Sequence, residues 1–213
     1  MDWSKSKAAY IFVLLAACLF IYFFIVVKRG EPLQFDSNVS HFITSVFTEG
    51  SYPFFKLLNR IGSTIGIGMI SLIVIAGLWG KKRDYAGMAV FVLGIAIGNL
   101  LNMWIKDYIA RPRPELEHLV HVKSFSFPSG HAMMGMILYV FIAYFIMSAL
   151  QSKGLKWLVA IAAGIFILLM GISRIVLHVH YPSDVAAGFA LGFFWVFFCI
   201  TCYETTKERL NRT

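Results

Sequence analysis

Arg174, His178, His180 and Asp184 fall within eleven residues that separate two long apolar runs. A stretch that short cannot cross a bilayer, and ionisable groups held so close to hydrocarbon are costly enough to mark a working site. Asp184 stands four residues after His180, within reach of one ring nitrogen. A carboxylate so placed fixes the tautomer and leaves the other nitrogen's lone pair free as a nucleophile. His178, six residues from Asp184, is less naturally paired and reads as a packing or interfacial side chain. Arg174 adds a cation for an anionic ligand. Pro182 suits the first turn of a following helix, where its missing N–H matters least. A lone His–Asp pair is equally what a structural contact looks like, so the reading turns on what else shares the site.

Two earlier breaks carry matching chemistry. Pro128–Ser129–Gly130–His131 precedes an apolar run, and a helix starting there would present unpaired N–H groups and a positive dipole end to an oxyanion. Gly130 lets the backbone approach such a ligand, Ser129 adds a hydroxyl, and His131 would stand beside it. Alone, these four residues describe a plain N-cap turn with an interfacial histidine better than they describe a site. Lys106 and Arg113–Pro114 form the other break. Asn99, Asn102 and Lys106 share helical spacing as a polar stripe, and an ammonium with a forked guanidinium suits a tetrahedral dianion. The competing reading is basic side chains snorkelling to the interface, which describes Arg111 better.

The elements that must position these residues are membrane spans. With 59% apolar and 14% charged residues, the chain lies far from the roughly 45–50% and 25% of soluble domains. Six runs approach the roughly 20 apolar residues that a spanning helix needs: Ala8–Val27, Ile61–Gly80, Tyr85–Ile105, Ala132–Leu150, the short Trp157–Ser173, and Val185–Tyr203. Each must be helical, because an isolated strand leaves its backbone unpaired in lipid. The expected fold is therefore all-α, an integral membrane bundle of six transmembrane helices forming one domain over residues 1–213. Between the first two spans, Asp36–Ser37–Asn38 offers an N-cap, and Val39, Phe42, Ile43, Val46 and Phe47 follow at helical spacing. That segment reads as an amphipathic helix along the interface, with a cap packed on the bundle as the alternative. The spacings Gly62–Gly66 and Gly94–Gly98 read as close helix-packing faces.

Six spans put Lys106, His131, Arg174 and Asp184 at one membrane face. Lys and Arg number ten on the side of the termini and nine on the other. Setting aside Lys106, Arg113 and Arg174, which chemistry explains, leaves ten against six. Both termini are then cytoplasmic and the site faces outward. The formal charge of +8 is scattered between apolar runs, which fits juxtamembrane anchoring and argues against nucleic acid as a partner. Cys18, Cys199 and Cys202 lie inside apolar runs, so neither a disulfide framework nor a zinc site is expected. Leu15–Ala16–Ala17–Cys18 mimics a lipoprotein cleavage site, but the apolar run continues past it and reads as an uncleaved span.

Taken together, Lys106 with Arg113–Pro114, Pro128–Ser129–Gly130–His131, and Ser173–Arg174 with His180 and Asp184 resemble the three-part signature of the type 2 phosphatidic acid phosphatase superfamily. All three parts match in order, without a substitution, over residues 106–184. Six spans fit its membrane lipid phosphatase branch, and the small size looks most like the bacterial phosphatidylglycerophosphatase B and undecaprenyl pyrophosphate phosphatase groups. The resemblance implies His180 as the nucleophile that forms a phosphohistidine, Asp184 as its orienting group, and His131 as acid and then base. It implies Lys106, Arg113, Ser129, Gly130 and Arg174 as the phosphate cradle, with no metal and no cofactor.

The implied activity is hydrolysis of a lipid phosphomonoester or pyrophosphate in the cell membrane. Phosphatidylglycerophosphate comes first, as in phosphatidylglycerol biosynthesis, with undecaprenyl pyrophosphate hydrolysis or phosphate transfer to an acceptor as alternatives. The expected partners are the lipid phosphate and the bilayer, with no obligate protein partner. In a different class stands a transporter or membrane scaffold; a transporter concentrates polar groups at the bilayer midplane, whereas here they gather at span ends.

Overall fold

The structure, a computed structural model, describes residues 6–210. Its helices are α1 (Lys7–Lys28), α2 (Gln34–Val46), α3 (Tyr52–Ile61), α4 (Thr64–Lys82), α5 (Tyr85–Ile109), α6 (Gly130–Ala149), α7 (Lys153–Val176) and α8 (Pro182–Leu210), with a 3₁₀ turn at Glu49–Ser51 before α3. The polar breaks start several of these helices in the same way. Ser63, Asp84, Ser129 and Ser152 each accept a hydrogen bond from the backbone N–H three residues on, covering one donor left unpaired at a helix start. Helix α5 stops at Ala110, which adopts a left-handed conformation (φ 53°), and Pro112 and Pro114 prevent its continuation.

Helices α1, α5, α6, α7 and α8 are each long and apolar enough to cross a membrane. The sixth crossing is α4, which qualifies together with the bent segment before it; the two meet at 58°. The chain is thus a multi-pass, all-helical membrane bundle. Helices α6 and α8 form its centre, with 56% of each apolar window buried, against 11% for α1, whose side chains mostly face outward. Central packing depends on glycine. A Cβ on Gly188 or Gly192 would lie 2.7 Å from the backbone oxygens of Ser129 and Met133, and one on Gly94 or Gly98 would strike Phe141 and Ile137. Of the other pair, Gly62 keeps the expected close packing, since a Cβ there would lie 2.7 Å from His131 of α6 and from Met170 of α7, whereas Gly66 does not. Gly62 closes α3, and Gly66 lies in the first turn of α4, where a Cβ would strike the chain's own carbonyls at Arg60 and Ile61.

The amphipathic segment is two helices rather than one. Ile43 of α2, and Phe55 and Leu58 of α3, are buried with Met170, Ile175, Val176, Leu177 and Val179 beneath one end of the bundle, while Phe42, Phe54 and Leu57 are exposed. Helix α2 also starts earlier than expected. Its N-cap is Leu33, so Asp36 lies in its first turn rather than capping it. The Asp36 carboxylate accepts instead from the Ser183 amide in the first turn of α8 (2.7 Å), supplying from another helix the acceptor that this helix start needs.

Candidate active site

The end of α5, the start of α6, the end of α7 and the start of α8 meet at one end of the bundle, roofed by the 110–129 loop. That loop is tied down by backbone bonds from Ser126 N–H to Arg111 C=O, from Leu119 N–H to Leu177 C=O and from Ser129 N–H to Asp184 C=O. Lys106, Ser129, Arg174, His180 and Asp184 are all buried. Lys106 donates to the carbonyls of Phe125 (2.6 Å) and Ser126 (3.2 Å). Arg113 donates to the Ser124 and Val179 carbonyls, and its Nη1 lies 3.3 Å from His180 Nε2. Arg174 donates through Nη1 to Asn59 Oδ1, while its Nε–H, fully enclosed, has no acceptor. Among the described residues, none of these three cations is paired with a carboxylate.

Asp184 is spoken for elsewhere. Oδ2 lies 3.4 Å from His180 Nδ1 and accepts from Ser126 Oγ and from the Tyr181 amide. Oδ1 accepts from Arg111 Nη1 at 2.6 Å. With Nδ1 turned to Asp184, His180 presents Nε2 as its second nitrogen. Burial, reinforced by Lys106, Arg174 and Arg113, holds the His180 pKa well below the usual imidazole value, so the ring stays neutral. Burial likewise lowers the Arg113 pKa, with Asp184 opposing. His131 Nε2 lies 3.2 Å from the Asn59 carbonyl, which fixes one ring edge and leaves Nδ1 as the nitrogen free for exchange.

The residues singled out from the sequence thus come together. Two of the smaller readings, those of Arg111 and Asn99, are corrected, while His178 is the packing side chain expected. Arg111 is no snorkelling side chain; it links Asp184 to Asp36, and these two acids outweigh its burial and raise its pKa. Asn99 leaves the polar stripe, because the helix turns it outward while Asn102 and Lys106 point in. His178 adopts a left-handed backbone (φ 58°) with Nδ1 3.2 Å from the Glu117 carbonyl, a loop-fastening contact. Ser126, Asn59 and Asp36 went unrecognised as site residues. Nothing at their sequence positions signals the contact, which spans 54 residues or more in each case.

Residues 87–208 match the model of the PAP2 superfamily. The chain belongs to the PAP2 superfamily. A phosphatidylglycerophosphatase B of Bacillus subtilis is 36% identical over 157 residues, covering 73% of this chain and 76% of that one. An undecaprenyl-diphosphatase of Sulfolobus acidocaldarius is 28% identical over 152 residues, covering 71% and 59%. The crystal structure of a transmembrane PAP2 type phosphatidylglycerolphosphate phosphatase from Bacillus subtilis superposes with a TM-score of 0.79 at 29% identity, over 89% of this chain and 96% of that one. This PAP2 protein is accordingly a membrane lipid phosphatase, acting on a lipid phosphate. The family match begins after α4, so Asp36 and Asn59 reach the site from outside it. Asp36 holds the Asp184 side and Asn59 the side of Arg174 and His131.

Proposed function

We propose that the chain works as a single domain over residues 1–213 and dephosphorylates a membrane lipid through a phosphohistidine on His180, with phosphatidylglycerophosphate the foremost substrate. The observation that carries this reading is the uncompensated positive charge. Arg174 is 1% exposed, yet its Nε–H has no acceptor, and among the described residues no carboxylate lies within ion-pair distance of it, Lys106 or Arg113. Buried charge without a partner is expensive, and a bound phosphate dianion would complete the set. The likeness to the Bacillus subtilis phosphatidylglycerophosphatase B supports the choice of lipid.

In the first step His180 Nε2 attacks phosphorus in line, forming the N–P bond as the P–O bond to the lipid breaks. Protonated His131 gives its proton to the departing lipid oxygen. In the second step water attacks the phosphohistidine, His131 takes the water proton, and phosphate leaves with His180 restored. Asp184 keeps the proton of His180 on Nδ1. Lys106, Arg113 and Arg174 carry the charge that spreads over the equatorial oxygens, helped by the Ser129 hydroxyl and the Gly130 amide at the α6 N-terminus. No step calls for a metal, since the three cations stand where a metal clamp would act.

The basic residues favour cytoplasmic termini and a site at the outer face of the cell membrane. An outward site between helix ends lets a lipid headgroup reach phosphate-binding residues while its chains stay in the bilayer. Purified protein should release phosphate from phosphatidylglycerophosphate faster than from phosphatidic acid or undecaprenyl pyrophosphate, and His180→Ala should release none and form no phosphoenzyme. Full activity in His180→Ala would end the proposal. Reporter fusions at Lys81–Asp84 and Glu115–Lys123 should report opposite sides, the former cytoplasmic.

A further inference from the structure

The carboxylate proposed to orient the nucleophile does not stand by itself. Arg111 Nη1 donates to Asp184 Oδ1 at 2.6 Å and to Ser183 Oγ at 2.8 Å, and its Nη2 donates to Asp36 Oδ2 at 2.8 Å. The guanidinium carbon lies 3.9 Å from the centre of the Tyr181 ring, so the plane of the group is fixed as well as its ends. Asp36 is buried and is itself held, its Oδ1 accepting from the Ser183 amide (2.7 Å) and its Oδ2 from the Ser183 hydroxyl (2.8 Å). Two acids and one guanidinium from α2, the 110–129 loop and α8 thus form one closed figure with Asp184 at its inner corner.

We infer that Asp36 is a positioning residue for catalysis, acting through Arg111 to hold Asp184, and with it His180, in the attacking geometry. This rests on the proposed roles of His180 and Asp184. The physical reason is orientation. Asp184 Oδ2 is shared among Ser126, Tyr181 N–H and His180, and its contact with His180 is a loose 3.4 Å. The Ser126 and Tyr181 bonds fix Oδ2, and Arg111 is the group that fixes Oδ1, so the rotation of the carboxylate toward the ring is set by both ends together. A planar fork can engage two carboxylates in fixed directions, which a lysine ammonium cannot. Asp36 sets the far end of that fork. Without it, Arg111 keeps Asp184, the Ser183 hydroxyl and the Tyr181 ring but loses its second acid, and the angle at which it meets Oδ1 is less tightly set. Because Asp36 sits in α2, outside the family match, the amphipathic segment contributes to the reaction centre rather than only covering it.

The test uses the full chain in detergent, with Asp36→Asn, Arg111→Lys and the double variant. Each is assayed for kcat and KM on a lipid phosphomonoester and for the rate of phosphoenzyme formation after rapid mixing. Asp36→Asn should lower kcat and phosphoenzyme formation together by about tenfold, with KM within about twofold, because no phosphate contact is touched. Arg111→Lys should do the same or more, and the double variant should match Arg111→Lys alone, since both changes disable one connection. A kcat that is unchanged in Asp36→Asn, or losses that multiply in the double variant, would overturn the inference. Should Asp36→Asn fail to fold, Arg111→Lys decides, and an unchanged kcat there is equally fatal. Phosphoenzyme formation in His180→Ala would instead refute the underlying roles, so the two failures are distinguishable.

Discussion

Gly62 offers the sharpest test of the second imidazole. It closes α3 with φ −82° and ψ 2°, a conformation that alanine adopts without strain, so any effect of Gly62→Ala comes from the added methyl. That Cβ would lie 2.7 Å from His131 Cδ2 and 2.7 Å from Met170 Cε. Carbon atoms rest comfortably at about 3.5–4.0 Å, so about 1 Å must be recovered on each side. Met170 meets the methyl with the end of a flexible chain and can turn away. His131 cannot do so freely, because Nε2 is held by the Asn59 carbonyl and its backbone lies in the first turn of α6. The ring therefore moves. A displacement of about 1 Å at a reacting group costs about a hundredfold in rate. The assay compares a lipid phosphomonoester, whose alkoxide leaving group needs a proton, with nitrophenyl phosphate, whose leaving group does not. Loss should be severe on the lipid and several-fold milder on the aryl ester. Gly68→Ala, where nothing lies within 4 Å of the new Cβ, serves as control. An equal loss on both substrates, or none, would refute the assignment of His131 as the acid.

Three further outcomes are expected. Lys106→Met should move the acid limb of kcat/KM to higher pH. Lys106 is the nearby charge that most strongly depresses the His180 pKa after burial; without it the ring protonates closer to the ordinary value of about 6.5, and a limb that stays in place would contradict the electrostatic reading. Vanadate should inhibit competitively while chelators leave activity unchanged in a phosphate-release assay; loss of activity with chelator would require a metal in the site. Gly188→Ala should destabilise the protein by about 1–3 kcal/mol in thermal unfolding, because its Cβ would meet backbone at Ser129 and Met133, which cannot give. Unfolding at the wild-type temperature would mean that α6 and α8 are less tightly joined than their geometry indicates.

Much of this was legible in the linear sequence. Apolar runs of spanning length fix helices because lipid offers the backbone no other partner, and an even count of crossings forces Lys106, His131, Arg174 and Asp184 to one end. The pairing of His180 with Asp184 was readable because four residues bring two side chains together across a single turn. Other features were invisible for the opposite reason. Asp36 looked like the cap of its own helix, and only the approach of α2 to α8 turned its carboxylate to Ser183 and Arg111. Arg111 looked like an interfacial base because a sequence position says nothing about two acids that lie 73 and 75 residues away. Asn59 carried no signal at all, since its carbonyl matters as much as its side chain. What the sequence determined by itself was the chemistry at each helix end and the face on which it gathers; both follow from hydrophobicity and short spacing. What the tertiary structure alone decided was which groups hold the reacting ones in place, because those contacts depend on how separate helices pack.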